Sequence, residues 1–156
     1  MNDTPISTKI WIDADGCPVK DEVYRVAERY KLKVILVANK WMRHPDRDWI
    51  TLEVVKDLFD AADDYIVENL VEKDIVITTD IELAARCLEK EARVISPRGN
   101  IFNEDSIGEA LARRELASHL RDIGVMGGGP PPFEKSDRSL FLQKLDQVIQ
   151  AIKRGK

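Results

Sequence analysis

Short runs of consecutive apolar residues alternate along this chain with segments whose apolar residues recur every three or four positions. Ile10-Trp11-Ile12, Val34-Ile35-Leu36-Val37, Ile75-Val76-Ile77 and Val94-Ile95 contain no polar residue, the pattern of strands buried on both faces of a parallel sheet. Ile50 to Val55 differs, because Thr51 and Glu53 interleave with apolar neighbours, and it reads as an edge strand. Between these runs, Val19, Val23, Val26, Ala27 and Tyr30 mark an amphipathic helix, followed by others through Ala62, Ile66 and Leu70, and through Leu83, Ala84, Cys87 and Leu88. Two more follow the last strand, one through Ile107, Leu111, Leu116 and Leu120, the other through Leu140, Phe141, Leu145, Val148, Ile149 and Ile152. Strands alternating with helices predict βαβ units with right-handed crossovers. The expected fold is three-layer α/β, a mainly parallel central sheet flanked by helices on both faces, with a helical extension at the C-terminus.

Glycine and proline divide the chain. Gly16 and Pro18 end the first strand, and Ser96-Pro97-Arg98-Gly99-Asn100 turns the chain away after the last one. Val125-Met126-Gly127-Gly128-Gly129-Pro130-Pro131-Pro132 builds no core and reads as a linker or loop. The expected organisation is one α/β domain over 1–123, a Gly/Pro-rich linker over 124–136, and a C-terminal helix over 137–156 packed on the same domain. At the helix starts, Asp60 is the expected N-cap of the second helix, Thr79 with Glu82 matches a capping box for the third, and Asp137 is placed to cap the last. Asp74 reads as a turn residue.

Composition narrows the chemistry. The 156 residues suit one domain with a real core, and a formal net charge of -4 gives no general attraction for nucleic acid. No apolar run approaches membrane-spanning length and the first nine residues lack a signal-peptide core, so a cytoplasmic protein with no membrane association is expected. Two cysteines, Cys17 and Cys87, and two histidines, His44 and His119, offer neither a disulfide framework nor zinc spacing. Any metal would be held by oxygen. Nothing in the sequence bears on oligomeric state.

The candidate chemistry is acidic. Asp13 and Asp15 follow the first strand at a spacing of two, which projects both to one side if the chain stays extended. The C-terminal ends of strands are where open α/β sheets place ligands. Asp60, Asp63 and Asp64 crowd the first turn of the second helix, more acid than capping requires, although capping suffices for Asp64. Asp80 follows the Ile75–Ile77 strand. Carboxylates gathered on one rim raise each other's pKa, and a divalent cation removes that penalty. Hard oxygen ligands suit Mg²⁺ or Mn²⁺, which activate water and neutralise charge on a phosphoryl group under attack. The implied reaction is hydrolysis of a phosphodiester or phosphomonoester.

Asp13-Ala14-Asp15-Gly16-Cys17-Pro18, Asp60-Ala61-Ala62-Asp63, Asp74 to Asp80 with Leu83-Ala84, Pro97-Arg98-Gly99, and Gly128-Gly129-Pro130 with Asp137-Arg138 and Phe141 together resemble the YaiI/YqxD family of bacterial proteins. That family is placed among PIN-like domains, whose better-known members are metal-dependent ribonucleases. The resemblance implies a PIN-like fold in which Asp13 matches the acid ending the first strand, Asp63 the acid on the middle helix, and Asp80 the acid after the Thr-x-Asp strand. It gives no role to Asp15, Cys17 or the glycine-proline segment.

The first reading is therefore a Mg²⁺- or Mn²⁺-dependent nuclease acting on RNA or another phosphate-containing substrate, with Asp13, Asp63 and Asp80 as metal ligands and Asp15 assisting. Lys20, Arg98 and Arg138 are candidate phosphate contacts. The loop from Trp41 to Trp49 interleaves aromatic and basic side chains that suit unpaired bases, although a tryptophan there often just covers the core. Cys17 reads as a small buried side chain, since neighbouring anions suppress its thiolate. Two alternatives stand beside this reading. A haloacid dehalogenase-type phosphatase would use Asp13 as nucleophile and Asp15 as acid/base, and a non-catalytic nucleic-acid or protein-binding module would use the same acids only as caps.

Overall fold

The computed structural model describes residues 6–56, 58, 60–122, 124 and 132–156, with the backbone alone at 121 and 122. In chain order the elements are β1 (Lys9–Asp13), α1 (Lys20–Tyr30), β2 (Lys33–Ala38), β3 (Ile50–Val54), α2 (Ala61–Asn69), β4 (Ile75–Ile77), α3 (Ile81–Glu89), β5 (Arg93–Ile95), β6 (Ile101–Phe102), α4 (Glu104–Asp122) and α5 (Lys135–Lys153).

They form a six-stranded sheet in the order β3-β2-β1-β4-β5-β6, parallel except for β6. The apolar runs lie at its centre because a central parallel strand meets a helix layer on each face. Alternation along each strand sorts the layers. Ile10, Ile12, Val34, Leu36, Ile75 and Ile77 face α1 and α5 through Val23, Ala27, Phe141, Leu145 and Ile149. Trp11, Val37, Val76 and Val94 face the other way, onto Ala62 and Ile66 of α2, Leu83 and Cys87 of α3, and Ile107 of α4. The three-layer α/β architecture is thus observed, with α5 an integral part of one layer.

β6 is an addition to the strands legible in the sequence. It is two residues long, too short to show a period, and it exists because the chain reverses at 96–100. There the Ser96 N–H donates to Asn100 O at 2.9 Å and Gly99 takes φ +88°. Gly99 also lies under α5, where a Cβ would come within 2.8 Å of Leu140 Cγ.

Helix starts differ from their sequence signals. Asp80, not Thr79, caps α3, its side chain accepting from the N–H groups of Glu82 and Leu83. Asp60 holds the N-cap position of α2 in a left-handed conformation and makes no side-chain cap bond. α5 begins earlier than Asp137, with Glu134 as N-cap and Asp137 as the reciprocal partner of a capping box. Of the four apolar positions read on α4 only Ile107 is buried, and Leu116 is 57% exposed. Leu140 on α5 is likewise 39% exposed. The linker positions 125–131 lie outside the described residues. Among the described residues no helix is long and apolar enough to cross a membrane.

Asp74 is more than a turn residue. It is fully buried and accepts from the Lys9 N–H, the Trp11 indole N–H and the Val71 N–H, each at 3.0 Å, with Lys9 Nζ 3.5 Å away. Four donors on one carboxylate offset the cost of taking it out of water. They tie β1 to the start of β4 at the end of the sheet away from the other acids.

Candidate functional site

The chain runs from β1 outward to β2 and β3, then returns to the other side of β1 as β4. The crevice beyond the C-terminal ends of β1 and β4 is therefore the topological switch point, where loops leave in opposite directions and open α/β sheets hold ligands. Asp13 ends β1 at this crevice, and Thr78 to Asp80 leave β4 beside it. Asp13 lies two residues beyond Trp11, so it shares the face covered by α2 and α3. Asp63 in the first turn of α2 and Asp80 at the head of α3 reach the same space.

Their electrostatics record the convergence. The Asp63 carboxyl is pushed up to about 7, first by burial and then by the charges of Asp80, Asp13 and Asp60, with the Asp80 side chain in hydrogen-bond contact. Asp13 is also raised, chiefly by burial and then by Asp80 and Asp15, although a bond from Thr78 works against the shift. Asp64, one residue on, faces elsewhere and pairs with Arg86 at 2.9 Å.

Thr78 organises the crevice. Its hydroxyl donates to Asp13 Oδ2 at 2.9 Å and accepts from the Asp80 N–H at 3.0 Å, so one buried side chain sets the position of both acids. The sequence named it only as the threonine of the Thr-x-Asp motif and gave it no role. The available signal was its place two residues after Val76, on the face that carries Asp13's neighbours.

Asp15 diverges. The chain turns at Asp15 and Gly16, where Gly16 has φ +77°, and Asp15 Oδ2 accepts from the Asn39 N–H at 3.0 Å. Asp13 thus bonds toward β4 and Asp15 toward β2, yet the two stay close enough for the Asp15 charge to raise the Asp13 carboxyl. A small cavity of about 20 Å³ lies between Asp13, Asp15, Cys17, Thr78 and Pro97, room for one water molecule. Cys17 packs against the core and its thiol is raised, burial being the larger cause rather than the neighbouring anions. An open hollow of about 550 Å³ lies elsewhere, between the β6 turn, α4 and α5.

The three expected phosphate contacts are engaged within the chain. Lys20 Nζ donates to Ala14 O at 3.1 Å and Cys17 O at 2.9 Å, holding the β1–α1 turn. Arg138 Nη1 donates to Pro18 O at 2.6 Å and to Glu22 Oε1 at 3.1 Å, and its guanidinium sits 4.9 Å from the Phe133 ring centre. Arg98 pairs with Asp137 at 3.3 Å and lies 5.7 Å from the same ring. Arg98 and Arg138 together dock the start of α5 against the loops that follow β1 and β5.

An all-oxygen donor set with surplus negative charge fits Mg²⁺ or Mn²⁺ in kind. One Asp80 oxygen is committed to the α3 cap and one Asp13 oxygen to Thr78. Among the described residues no three acid, histidine or cysteine side chains gather tightly enough to ligate one ion directly. The arrangement suits an ion bound by one or two carboxylates that keeps part of its water shell, as Mg²⁺ commonly does.

Comparison with known proteins supplies the relationship but no activity. No solved structure matches the chain significantly. A UPF0178 protein of Paramagnetospirillum magneticum is 54% identical over 147 residues, covering 94% of this chain and 97% of that one. UPF0178 proteins of Rhodospirillum centenum and Rhodospirillum rubrum are 51% and 49% identical over 94% and 95% of this chain and 98% and 99% of theirs. Residues 11–151 match the family described as "Uncharacterized BCR, YaiI/YqxD family". With nearly the full length matched and about half of all positions shared, the chain belongs to the YaiI/YqxD family of uncharacterised bacterial proteins.

Proposed function

We propose that this protein is a cytoplasmic, divalent-metal-dependent hydrolase of phosphodiester bonds, with RNA as substrate and Asp13, Asp63 and Asp80 as the working acids. The observation that carries the reading is the placement of Asp13 at the end of β1, Asp63 in the first turn of α2 and Asp80 at the head of α3, near enough that Asp80 and Asp13 help push the Asp63 carboxyl up, at the crevice where this class of sheet holds ligands. A structural cap does not need three further acids around it. A hard cation removes their repulsion.

In this reading Asp63 and Asp80 would hold Mg²⁺ or Mn²⁺, with Asp13 acting on it through the ion's retained water shell. When bound, the ion supplies a water of lowered pKa and offsets charge on the phosphoryl oxygens. Thr78 keeps Asp13 and the Asp80 backbone in register. Asp13 lines the single-water cavity and orients a water there by accepting its proton in a hydrogen bond. Asp15, one oxygen of which holds the Asn39 N–H, lines the same cavity and assists Asp13 there.

The test is calorimetric titration with Mn²⁺ of the wild type, Asp63→Asn and Asp80→Asn, paired with cleavage of a labelled RNA. Binding weakened at least tenfold in both variants, with Mn²⁺-dependent cleavage by the wild type, is the expected result. Unchanged Mn²⁺ binding in both variants overturns the site, and binding without cleavage overturns the activity.

A further inference from the structure

The three tryptophans of the chain have separate fates. Trp11 is 4% exposed and bonded to Asp74. Trp49 packs against the core together with Met42, and the two pin the loop between β2 and β3 at its middle and its end. Trp41 in the same loop is 71% exposed, although a tryptophan is costly to leave in water. The His44 ring stands 6.5 Å from it at a tilt of 55°, so two flat rings are presented side by side on a pinned loop.

Cations flank the rings. Among the described residues Lys40 and Arg43 make no ion pair, in a chain whose acids outnumber its bases by 28 to 24. Arg43 and His44 form one wall of an open hollow of about 380 Å³ whose other wall is Lys20, Asp21 and Tyr24 of α1. Asp21 makes the α1 wall mixed, so the positive wall is Arg43 beside His44, in a loop that carries Lys40, Arg43 and Arg47 against Asp46 and Asp48. The loop is also rooted at the acid crevice. Val37 pairs with Asp13 across the sheet, and the Asn39 N–H is held by Asp15. Three residues lie between Val37 and Trp41, so at most ~14 Å of extended chain separates them.

We propose that this loop is a docking platform for an unpaired polynucleotide strand, with Trp41 and His44 stacking on bases and Lys40 and Arg43 taking phosphates on the approach to Asp13. The substrate polymer is that of the function proposed above, and the platform adds a strand preference which the acid crevice does not impose. Only unpaired bases offer a free face to Trp41, because those of a duplex are stacked on one another. The occupant is set by charge: Lys40 and Arg43, with no ion pair among the described residues, are complementary to a polyanion, and the exposed ring beside them to its flat bases.

The experiment uses the full chain in EDTA, so that binding is read without cleavage. Fluorescence anisotropy is measured with a labelled 12-nucleotide RNA, free and annealed to its complement, for the wild type, Trp41→Ala, Arg43→Ala, and Leu116→Ala as a control on the exposed part of α4. Expected are tighter binding of the single strand than of the duplex, a loss of about tenfold for Trp41→Ala, a shallower salt dependence for Arg43→Ala, and no change for Leu116→Ala. Equal binding of duplex and single strand, wild-type affinity in Trp41→Ala, or no binding of either RNA overturns the platform, the last making Trp41 a protein contact instead. Cleavage that persists while Trp41→Ala binds normally leaves the metal site standing and removes the platform. Trp41-dependent binding without Mn²⁺-dependent cleavage does the reverse.

Discussion

Asp63, on α2, and Asp80, at the head of α3, lie near enough that the Asp80 charge, after burial and ahead of Asp13 and Asp60, helps push the Asp63 carboxyl up to about 7. Without a cation the folded chain therefore binds a proton at Asp63 that the unfolded chain releases near the ordinary aspartate value of 3.8. As pH rises from about 4 to about 7 the unfolded state becomes the less protonated one, so stability falls across that window. Asp63→Asn removes the effect. For this half-exposed group, screening by solvent limits the difference to ~1–2 kcal/mol. Metal-free Asp63→Asn is expected to melt roughly 2–8 °C above the wild type at pH 8 and level with it at pH 4. A variant that melts lower at pH 8 would mark Asp63 as a structural residue.

Asp80 carries both a cap and a charge, and the two are separable because asparagine caps a helix about as well as aspartate. Asp80→Asn is expected to keep metal-free stability within ~0.5 kcal/mol of the wild type, while Asp80→Ala loses ~1 kcal/mol or more with the bonds to Glu82 and Leu83. Mn²⁺ at a hundred times its dissociation constant should stabilise the wild type by ~2.7 kcal/mol and leave both variants nearly unmoved. Thermal melts with and without Mn²⁺ read all three.

Asp74 should behave in the opposite way to Asp63. Its carboxylate satisfies four donors from Lys9, Trp11 and Val71 in a fully buried place. Asp74→Ala leaves those donors unpaired and is expected to cost ~3–5 kcal/mol in urea unfolding at pH 7. Mn²⁺ affinity of the fraction that folds should be unchanged.

The seat of α5 depends on a close approach and on a guanidinium. A Cβ at Gly99 would meet Leu140 Cγ at 2.8 Å and its backbone carbon at 3.1 Å, at a φ of +88° that disfavours any side chain. Gly99→Ala is expected to cost ~2–4 kcal/mol. Arg138→Ala removes the bonds to Pro18 and to the largely buried Glu22 and is expected to cost ~2–3 kcal/mol. In both variants hydrogen exchange should rise first in α5 and in the β1–α1 turn.

The sequence by itself determined the sheet and most of its helices. A strand buried on two faces must be apolar at successive positions, and Ile10–Ile12 and Ile75–Ile77 show that pattern at strand length between helical periods. It also pointed to Asp13, Asp63 and Asp80, because surplus acid at strand ends and helix heads has a local signature. Tertiary structure decided how those acids relate. Asp13 and Asp15 share a spacing but not a partner, since the turn at Gly16 carries Asp15 to Asn39 while Thr78 holds Asp13. The cap passed from Thr79 to Asp80 because a cap is set by backbone angles that sequence spacing does not specify. Lys20, Arg98 and Arg138 looked available because a lone cation in a sequence shows its charge and not its partner. Trp41 and Trp49 have one composition and opposite environments, since only the packed chain decides which ring meets the core and which meets water.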